Sequence, residues 1–204
     1  MDRGIKLKIL HTSDLHFNGF KWIESQQHKY DIFCISGDFL DSSKYETLTE
    51  QIVWIIQWIK NFKKPLFTCS GNHDFGDDYN EGWLSSIDTD NYYSDNSIKT
   101  IENIKFGCIP YFYLDEYDEF EKCDVIITHE PPSNTKTSID ENGKDWGNKD
   151  LSSALKYKTM KPKIILCGHI HKPISTFDRL DEIKIYNTGV GDNLEIPNYH
   201  IVEL

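Results

Sequence analysis

Five short segments of this chain carry side chains of the types that bind metal ions, and each follows an apolar run of strand length. The segments are residues 11–16, 36–38, 70–74, 129–132 and 168–171. One histidine after one strand is more often a hydrogen-bonded structural residue than a ligand. Five such segments in succession favour a shared metal site over five unrelated structural roles.

The residue types within these segments indicate which ions would bind. Alternate residues of an extended chain point to the same side, so Asp14 with His16, and His169 with His171, can each face one centre. A glycine directly precedes three of the candidate ligands, at Gly37, Gly71 and Gly168. Glycine is expected where the backbone turns sharply and comes close to a bound group. Carboxylate, imidazole and amide donors without thiolate suit manganese, iron, zinc or nickel better than copper(I) or an iron–sulfur cluster.

The apolar runs that must position these side chains alternate with helix-like or loop-like segments, which predicts an α/β fold. The runs are residues 5–10, 31–35, 65–69, 125–128 and 164–167. In open α/β sheets the carboxyl ends of the strands form the crevice where ligands bind. The five polar segments are therefore expected to converge at one rim.

Other elements follow from periodicity. Residues 47–62 place apolar side chains at helical spacing, and Ser43 with Glu46 forms a candidate capping box just upstream. Trp54 and Trp58 lie one turn apart on the flank of this helix, where core packing is favoured over a partner surface. Hairpin-like strands are predicted in the second half of the chain, at residues 97–101, 104–109, 174–177, 183–187 and 199–202. Two sheets packed face to face would accommodate both halves.

The ordered set D-x-H, G-D, G-N-H-D, H and G-H-x-H resembles the calcineurin-like metallophosphoesterase family. The resemblance implies a four-layer α/β/β/α sandwich of two mixed sheets flanked by helices. It also implies two divalent or mixed-valence transition metal ions. Carried over position by position, it makes Asp14, His16 and His171 ligands of one ion, Asn72, His129 and His169 ligands of the other, and Asp38 the bridge between them.

The same resemblance gives His73 the role of catalytic acid, and Asp41 matches the acidic position that orients this histidine. Two metal ions about 3.5–4 Å apart lower the pKa of a shared water and clamp the phosphoryl oxygens, so metal-bound hydroxide is the expected nucleophile. Asp74 and Glu130 are nearby acids without an assigned role. No tyrosine ligand of the purple acid phosphatase type is apparent.

Departures from the family's branches narrow the expected substrate. The serine/threonine protein phosphatase branch has an arginine directly after the residue equivalent to Asp41, where this chain has Ser42. The chain has only two arginines, Arg3 and Arg179. It therefore offers few guanidinium groups that could bind the phosphate of a phosphomonoester. A phosphodiesterase acting on a small ester, with nucleotides and cyclic nucleotides among the candidates, is favoured. A metal-dependent nuclease, a phosphomonoesterase and a noncatalytic scaffold with this fold are the alternatives.

Composition sets broader limits. A chain of 204 residues with 38% hydrophobic residues predicts one domain, residues 1–204. A formal net charge of −11 disfavours general binding to nucleic acid or anionic membranes. No apolar run resembles a signal peptide or a membrane span. Five cysteines without a C-x-x-C pair predict reduced, mostly buried thiols, and hence a cytoplasmic protein.

The long polar segment at residues 133–149 follows the predicted ligand His129. Because loops at strand ends commonly carry specificity, this segment is expected to border the substrate pocket. Trp146 either packs onto the domain, the commoner role, or stacks on a nucleobase or aryl group. His11, His28 and His200 belong to no motif, and no function is assigned to them.

Overall fold

The computed structural model of the chain describes residues 7–75, 82–112, 117–190 and 195–204. Within them the chain forms eleven strands and three α-helices. The strands are β1 (Lys8–Thr12), β2 (Ile32–Ser36), β3 (Leu66–Cys69), β4 (Tyr92–Tyr93), β5 (Ile98–Ile101), β6 (Ile104–Ile109), β7 (Val125–Thr128), β8 (Ile164–Cys167), β9 (Phe177–Leu180), β10 (Ile183–Asn187) and β11 (His200–Glu203). The helices are α1 (Phe20–Ser25), α2 (Leu48–Asn61) and α3 (Lys149–Lys156).

These strands form two mixed sheets. The first has the order β11-β1-β2-β3-β4, in which β1 to β4 are parallel and β11 is antiparallel to β1. The second has the order β5-β6-β7-β8-β10-β9, with four parallel strands in the centre and the antiparallel strands β5 and β9 at the edges. The predicted α/β class and the two mixed sheets are confirmed.

Alternate side chains of the central strands fill different cores. In β2, Phe33 packs in the core shared with α1 and α2, whereas Cys34 packs in the core between the sheets. On the far face of the second sheet, Ile126 and Ile165 pack with Leu155 of α3. Because both faces of the central strands are covered, their sequences read as continuous apolar runs. The resulting layers are helix, sheet, sheet and helix, as predicted.

Helix α2 is confirmed, but the predicted capping box at Ser43 and Glu46 is wrong. The backbone N–H and hydroxyl of Ser43 both donate to Asp41 Oδ1, at 2.8 and 2.6 Å, so Ser43 does not cap the helix. The box that forms lies four residues later. Thr47 Oγ1 accepts from the backbone N–H of Glu50 at 3.2 Å, and the Glu50 carboxylate accepts from the backbone N–H of Thr47 at 2.8 Å.

The predicted strands at 125–128 and 164–167, and the hairpin of β5 and β6, are confirmed. The predicted strand at residues 174–177 is wrong, because the strand that pairs with β10 begins only at Phe177. The register is set by the turn at Asp181, which has a φ of 52°, and brings Leu180 opposite Ile183. The strand predicted at residues 5–10 falls partly outside the described residues. The observed strand β1 spans Lys8–Thr12.

The remaining packing predictions hold in part. Trp58 is buried, whereas Trp54 contacts Phe20 edge to face yet keeps 45% of its surface exposed. All five cysteines are free and buried. His11 is fully buried, with Nε2 2.8 Å from the hydroxyl oxygen of Ser36. No helix in the described part of the chain is long and apolar enough to cross a lipid bilayer.

The observed capping box can be tested by comparing two substitutions. Thr47→Ala removes the acceptor for the first-turn N–H of α2 and should lower the free energy of unfolding by about 0.5–2 kcal/mol. Ser43→Ala, the matched control, lies outside the helix and should change it by less than about 0.5 kcal/mol. Urea unfolding of both variants measures the difference, and equal losses would contradict the assignment.

Candidate metal centre

The predicted site residues lie at the carboxyl ends of parallel strands from both sheets. In the first sheet, backbone hydrogen bonds join the segments after β1 and β2. Asp14 N–H donates to Gly37 O and His16 N–H donates to Asp38 O, both at 3.0 Å. In the second sheet, the N–H of Gly168 donates to His129 O at 2.9 Å. The structure thus brings all seven predicted ligands to one rim.

One group of donor atoms is formed by Asp14, His16, Asp38 and His171. One ligand atom from each lies within 4.8 Å of all the others. His16 Nδ1 is 3.3 Å from Leu40 O and can donate to it, which directs the lone pair of Nε2 toward the group. Nε2 of His16 and Nε2 of His171 are 3.3 Å apart. Asp14 Oδ1 is buried 3.5 Å from His171 Nε2 and has no hydrogen-bond partner among the described residues.

A second group is formed by Asn72, His129 and His169, again with Asp38. Asn72 Oδ1 lies 2.9 Å from His129 Nε2 and 2.8 Å from His169 Nδ1, and the two ring nitrogens are 3.3 Å apart. His129 Nδ1 is 2.8 Å from Ser36 O, so a proton on Nδ1 leaves Nε2 as an acceptor. Acceptor atoms this close need protons or a cation between them. Together with the orphaned Asp14 oxygen, this arrangement fits a pair of metal ions.

Asp38 is common to both groups, and its side chain is 1% exposed. Oδ2 is 3.3 Å from His129 Nε2, and Oδ1 accepts the backbone N–H of His73 at 2.9 Å. Burial alone would raise the pKa of Asp38, but the His129 imidazole lowers it below its ordinary value. Burial opposes a charge on His129 as well, yet Asp38 raises the His129 pKa to about 9. The buried carboxylate therefore requires a positive charge beside it, which either a proton or a metal ion can supply.

The backbone at the rim is strained. Four predicted ligands have φ values in the left-handed region: Asp14 at 52°, His16 at 46°, Asp38 at 58° and His169 at 69°. Such conformations are uncommon outside glycine and cost about 1–3 kcal/mol each. They persist where the surrounding structure enforces them, and they cluster at functional sites. The strain at these four ligands indicates that the segments are held in place for the site.

Two of the predicted glycines leave room for ligand carboxylates. A Cβ added at Gly71 would overlap the side chain of Asp38, and one added at Gly168 would overlap that of Asp14. The close approach predicted from the sequence is therefore present. The group that comes close to each glycine is a carboxylate of the chain itself, so any larger residue would displace a ligand.

Asp74 organises the backbone around Asp38, a role that the sequence did not reveal. Its buried carboxylate accepts four backbone N–H groups, from Asp38, Phe39, Leu40 and Gly71, at 2.7–3.1 Å. Burial and the nearby Asp38 raise the Asp74 pKa to about 7. The only signal in the sequence was an acid that ends G-N-H-D. Three of these hydrogen bonds tie the segment after β2 to the turn after β3, and the fourth, from Gly71, lies within that turn.

His73 lies at the mouth of the site, where its exposed ring meets His16 edge to face with centroids 5.1 Å apart. No hydrogen bond joins Asp41 to His73 within residues 7–75, so the orienting role of Asp41 stays a prediction. The Asp41 carboxylate instead accepts from Ser43 and lies 3.9 Å from Lys44 Nζ. Glu130 accepts from Asn148, the N-cap residue of α3, at 2.9 Å.

A cavity of about 370 Å³ adjoins the ligands on the side of residues 133–149. Its lining includes His169 and His171 together with Trp146, Asp140, Glu141, Asn142, Ile170 and Lys172. Trp146 is 46% exposed, its Nε1 donates to Asp140 at 2.9 Å, and the Lys144 ammonium lies 3.2 Å from the ring centroid. The segment thus borders a cavity that reaches two of the predicted ligands.

Comparison with known proteins bears on this geometry. Residues 7–173 match the model of the calcineurin-like phosphoesterases. The chain belongs to this family. Membership implies metal-dependent hydrolysis of phosphate esters at a site that uses two metal ions. The sequence resemblance is therefore confirmed at the level of the family.

Solved structures share the fold of this calcineurin-like phosphoesterase. The structure of TT1561 from Thermus thermophilus matches with a TM-score of 0.65 at 10% identity, covering 93% of this chain and 91% of that one. A structure described as a novel archaeal phosphodiesterase matches with a TM-score of 0.51 at 18% identity, covering 97% and 100%. At these identities the likeness shows the fold alone.

The shared position of Asp38 generates a direct prediction. Asp38→Asn removes the charge that both donor groups share, so manganese titrated by calorimetry should lose most of its affinity at both sites rather than one. The parent should also gain thermal stability with manganese, because the ion binds the folded state alone, and the variant should not. Asp88→Asn, at an exposed carboxylate with the same charge change, is the control. Loss of only one ion from the Asp38 variant would contradict bridging.

Proposed function

We propose that this chain is a phosphodiesterase that holds two transition metal ions, of manganese, iron, zinc or nickel. The single observation that carries the proposal is the sharing of the buried Asp38 by two separate donor groups. The ligands proposed for one ion are Asp14, His16 and His171, and those for the other are Asn72, His129 and His169, with Asp38 common to both. When bound, such a pair supplies Lewis acidity toward the phosphoryl oxygens and an activated water.

The residues of the chain itself define the remaining roles. The hydrogen bond from the His73 backbone to Asp38 fixes His73 beside the ligands, and its exposed ring can reach a group bound above them. We assign His73 as the acid that protonates the departing ester oxygen. His16 Nδ1 faces Leu40 O, and His129 Nδ1 faces Ser36 O. A hydrogen bond at each Nδ1 orients Nε2 of the same ring toward the site.

The charges near the site favour a diester over a monoester. A phosphomonoester carries two negative charges, and its recognition usually relies on arginine or several cations. Arg179 lies instead on β9, the outer strand of the second sheet. Of the described residues that line the cavity beside His169 and His171, Asp140 and Glu141 are acids and Lys172 is a cation, and Lys144 lies over the Trp146 ring. An organic substituent suits this cavity better than a second phosphate charge.

The proposed substrate is a small ester, with nucleotides and cyclic nucleotides as the first candidates. The net charge of −11 argues against a long nucleic acid, since such binding depends mainly on neutralising phosphates with lysine and arginine. The fold is also that of the archaeal protein described as a phosphodiesterase. The nuclease and monoesterase alternatives can be separated by assaying oligonucleotides and phosphomonoesters beside small diesters.

The role of His73 can be tested with aryl phosphodiesters of graded leaving-group pKa. His73→Asn should retain both metal ions and lower kcat by roughly 10²–10⁴-fold for phenolate-type poor leaving groups. The loss should shrink for nitrophenolate, which departs without a proton. Asp41→Asn is the companion variant: Asp41 hydrogen-bonds Ser43 rather than His73 in this structure, so a smaller loss with the same trend would show that Asp41 orients His73 when substrate is bound. An equal loss for good and poor leaving groups would rule out the acid role.

A further inference from the structure

Three aromatic side chains form an exposed surface beside the second group of ligands. Phe75, Tyr111 and Phe112 contact one another, with ring centroids 5.9 Å apart for Phe75 and Tyr111, 5.3 Å for Phe75 and Phe112, and 4.3 Å for Tyr111 and Phe112. We call these three residues the aromatic shelf. Phe75 is 36% exposed and Phe112 is 68% exposed. Contiguous exposed apolar side chains of this kind mark sites where proteins or ligands bind.

The shelf is continuous with the candidate metal centre. The centroid of the Tyr111 ring lies 5.9 Å from that of His129 and 6.3 Å from that of His169. The backbone N–H of Tyr111 also donates to Ser70 Oγ at 3.0 Å, just before the turn that carries Asn72. A ring attached to a phosphate held at these ligands would therefore lie close enough to contact the shelf.

The geometry of the shelf suits a flat aromatic ligand. The three described side chains of the shelf carry no charge, so they offer ring faces and edges rather than ion pairs. Phe112 has a φ of 58°, an uncommon conformation for a bulky residue, and this backbone holds its ring in the open. Stacking on such rings accepts every nucleobase, because every base has a π face.

We infer that the aromatic shelf is a subsite that stacks a nucleobase or aryl ring of the ester substrate. The inference rests on the proposed function, since it places the phosphate at the metal ligands. It selects aromatic over aliphatic esters without distinguishing one base from another. The subsite is separate from the cavity at Trp146, which adjoins the ligands on the side of His171.

The test compares two ligands that differ only in the base. Binding of adenosine 5′-monophosphate and of ribose 5-phosphate to the manganese-loaded protein is measured by calorimetry. The parent should bind the nucleotide roughly tenfold or more tightly, the scale of one base stacked on an aromatic side chain. Phe112→Ala, and the double variant with Phe75→Ala, should lose this preference while binding ribose 5-phosphate and manganese as the parent does.

One control variant and one discriminating variant locate the effect. Tyr157→Ala, the control, removes a ring that is 76% exposed near the end of α3, and it should keep the preference. Trp146→Ala distinguishes the shelf from the cavity, because a base held in the cavity would lose its preference in this variant and not in the shelf variants. Equal binding of the two ligands by the parent, an unchanged preference in the double variant, or loss of the preference in Trp146→Ala alone would each overturn the subsite.

The outcome is separable from that for the proposed function. If diesters are not hydrolysed but the preference for the nucleotide disappears with Phe112→Ala, the phosphodiesterase proposal fails and the subsite stands. If none of manganese, iron, zinc and nickel binds, the proposed function fails. Binding of adenosine is then compared with binding of ribose. If the shelf variants lose the preference for adenosine, the subsite is supported; if they keep it, the subsite is overturned.

Discussion

The buried carboxylate of Asp38 is the constraint on which the rest of the site depends. A charge that is 1% exposed must be balanced locally, and the groups in position to do so are the imidazoles and the ions they can hold. Asp74 fixes the backbone on either side of Asp38, and Gly71 leaves space for its oxygens. Because the carboxylate lies between two donor groups, its charge can serve both at once.

The double-sheet architecture explains how ligands distant in sequence meet. Parallel strands β1, β2 and β3 present Asp14, His16, Asp38 and Asn72 from one sheet, and β7 and β8 present His129, His169 and His171 from the other. The rim contains left-handed ligands and closely spaced acceptors, and the hydrogen bonds to Asp74 and the cores behind the rim hold them in place. Stability elsewhere in the fold offsets the strain concentrated at the site.

The sequence predicted what is encoded locally. An apolar run followed by a ligand is a local pattern, so the central strands and the seven candidate ligands could be predicted from the sequence, together with their meeting at one rim. The capping box was predicted at the wrong position because both Ser43 and Thr47 fit the motif. Ser43 is hydrogen-bonded to Asp41 in the fold, which leaves Thr47 as the cap. Asp74 and the aromatic shelf could not be found, because their roles come from contacts between segments. Phe75 and Tyr111, for example, are distant in the chain and meet only in the fold.

The central claim is that one carboxylate bridges two ions, and anomalous X-ray diffraction from crystals grown with manganese tests it most directly. Two anomalous peaks are expected about 3.5–4 Å apart, the usual separation in two-metal sites. One peak should lie among Asp14, His16 and His171, the other among Asn72, His129 and His169, and Asp38 should contact both. A single peak, or two peaks of which only one lies within coordination distance of Asp38, would contradict the account.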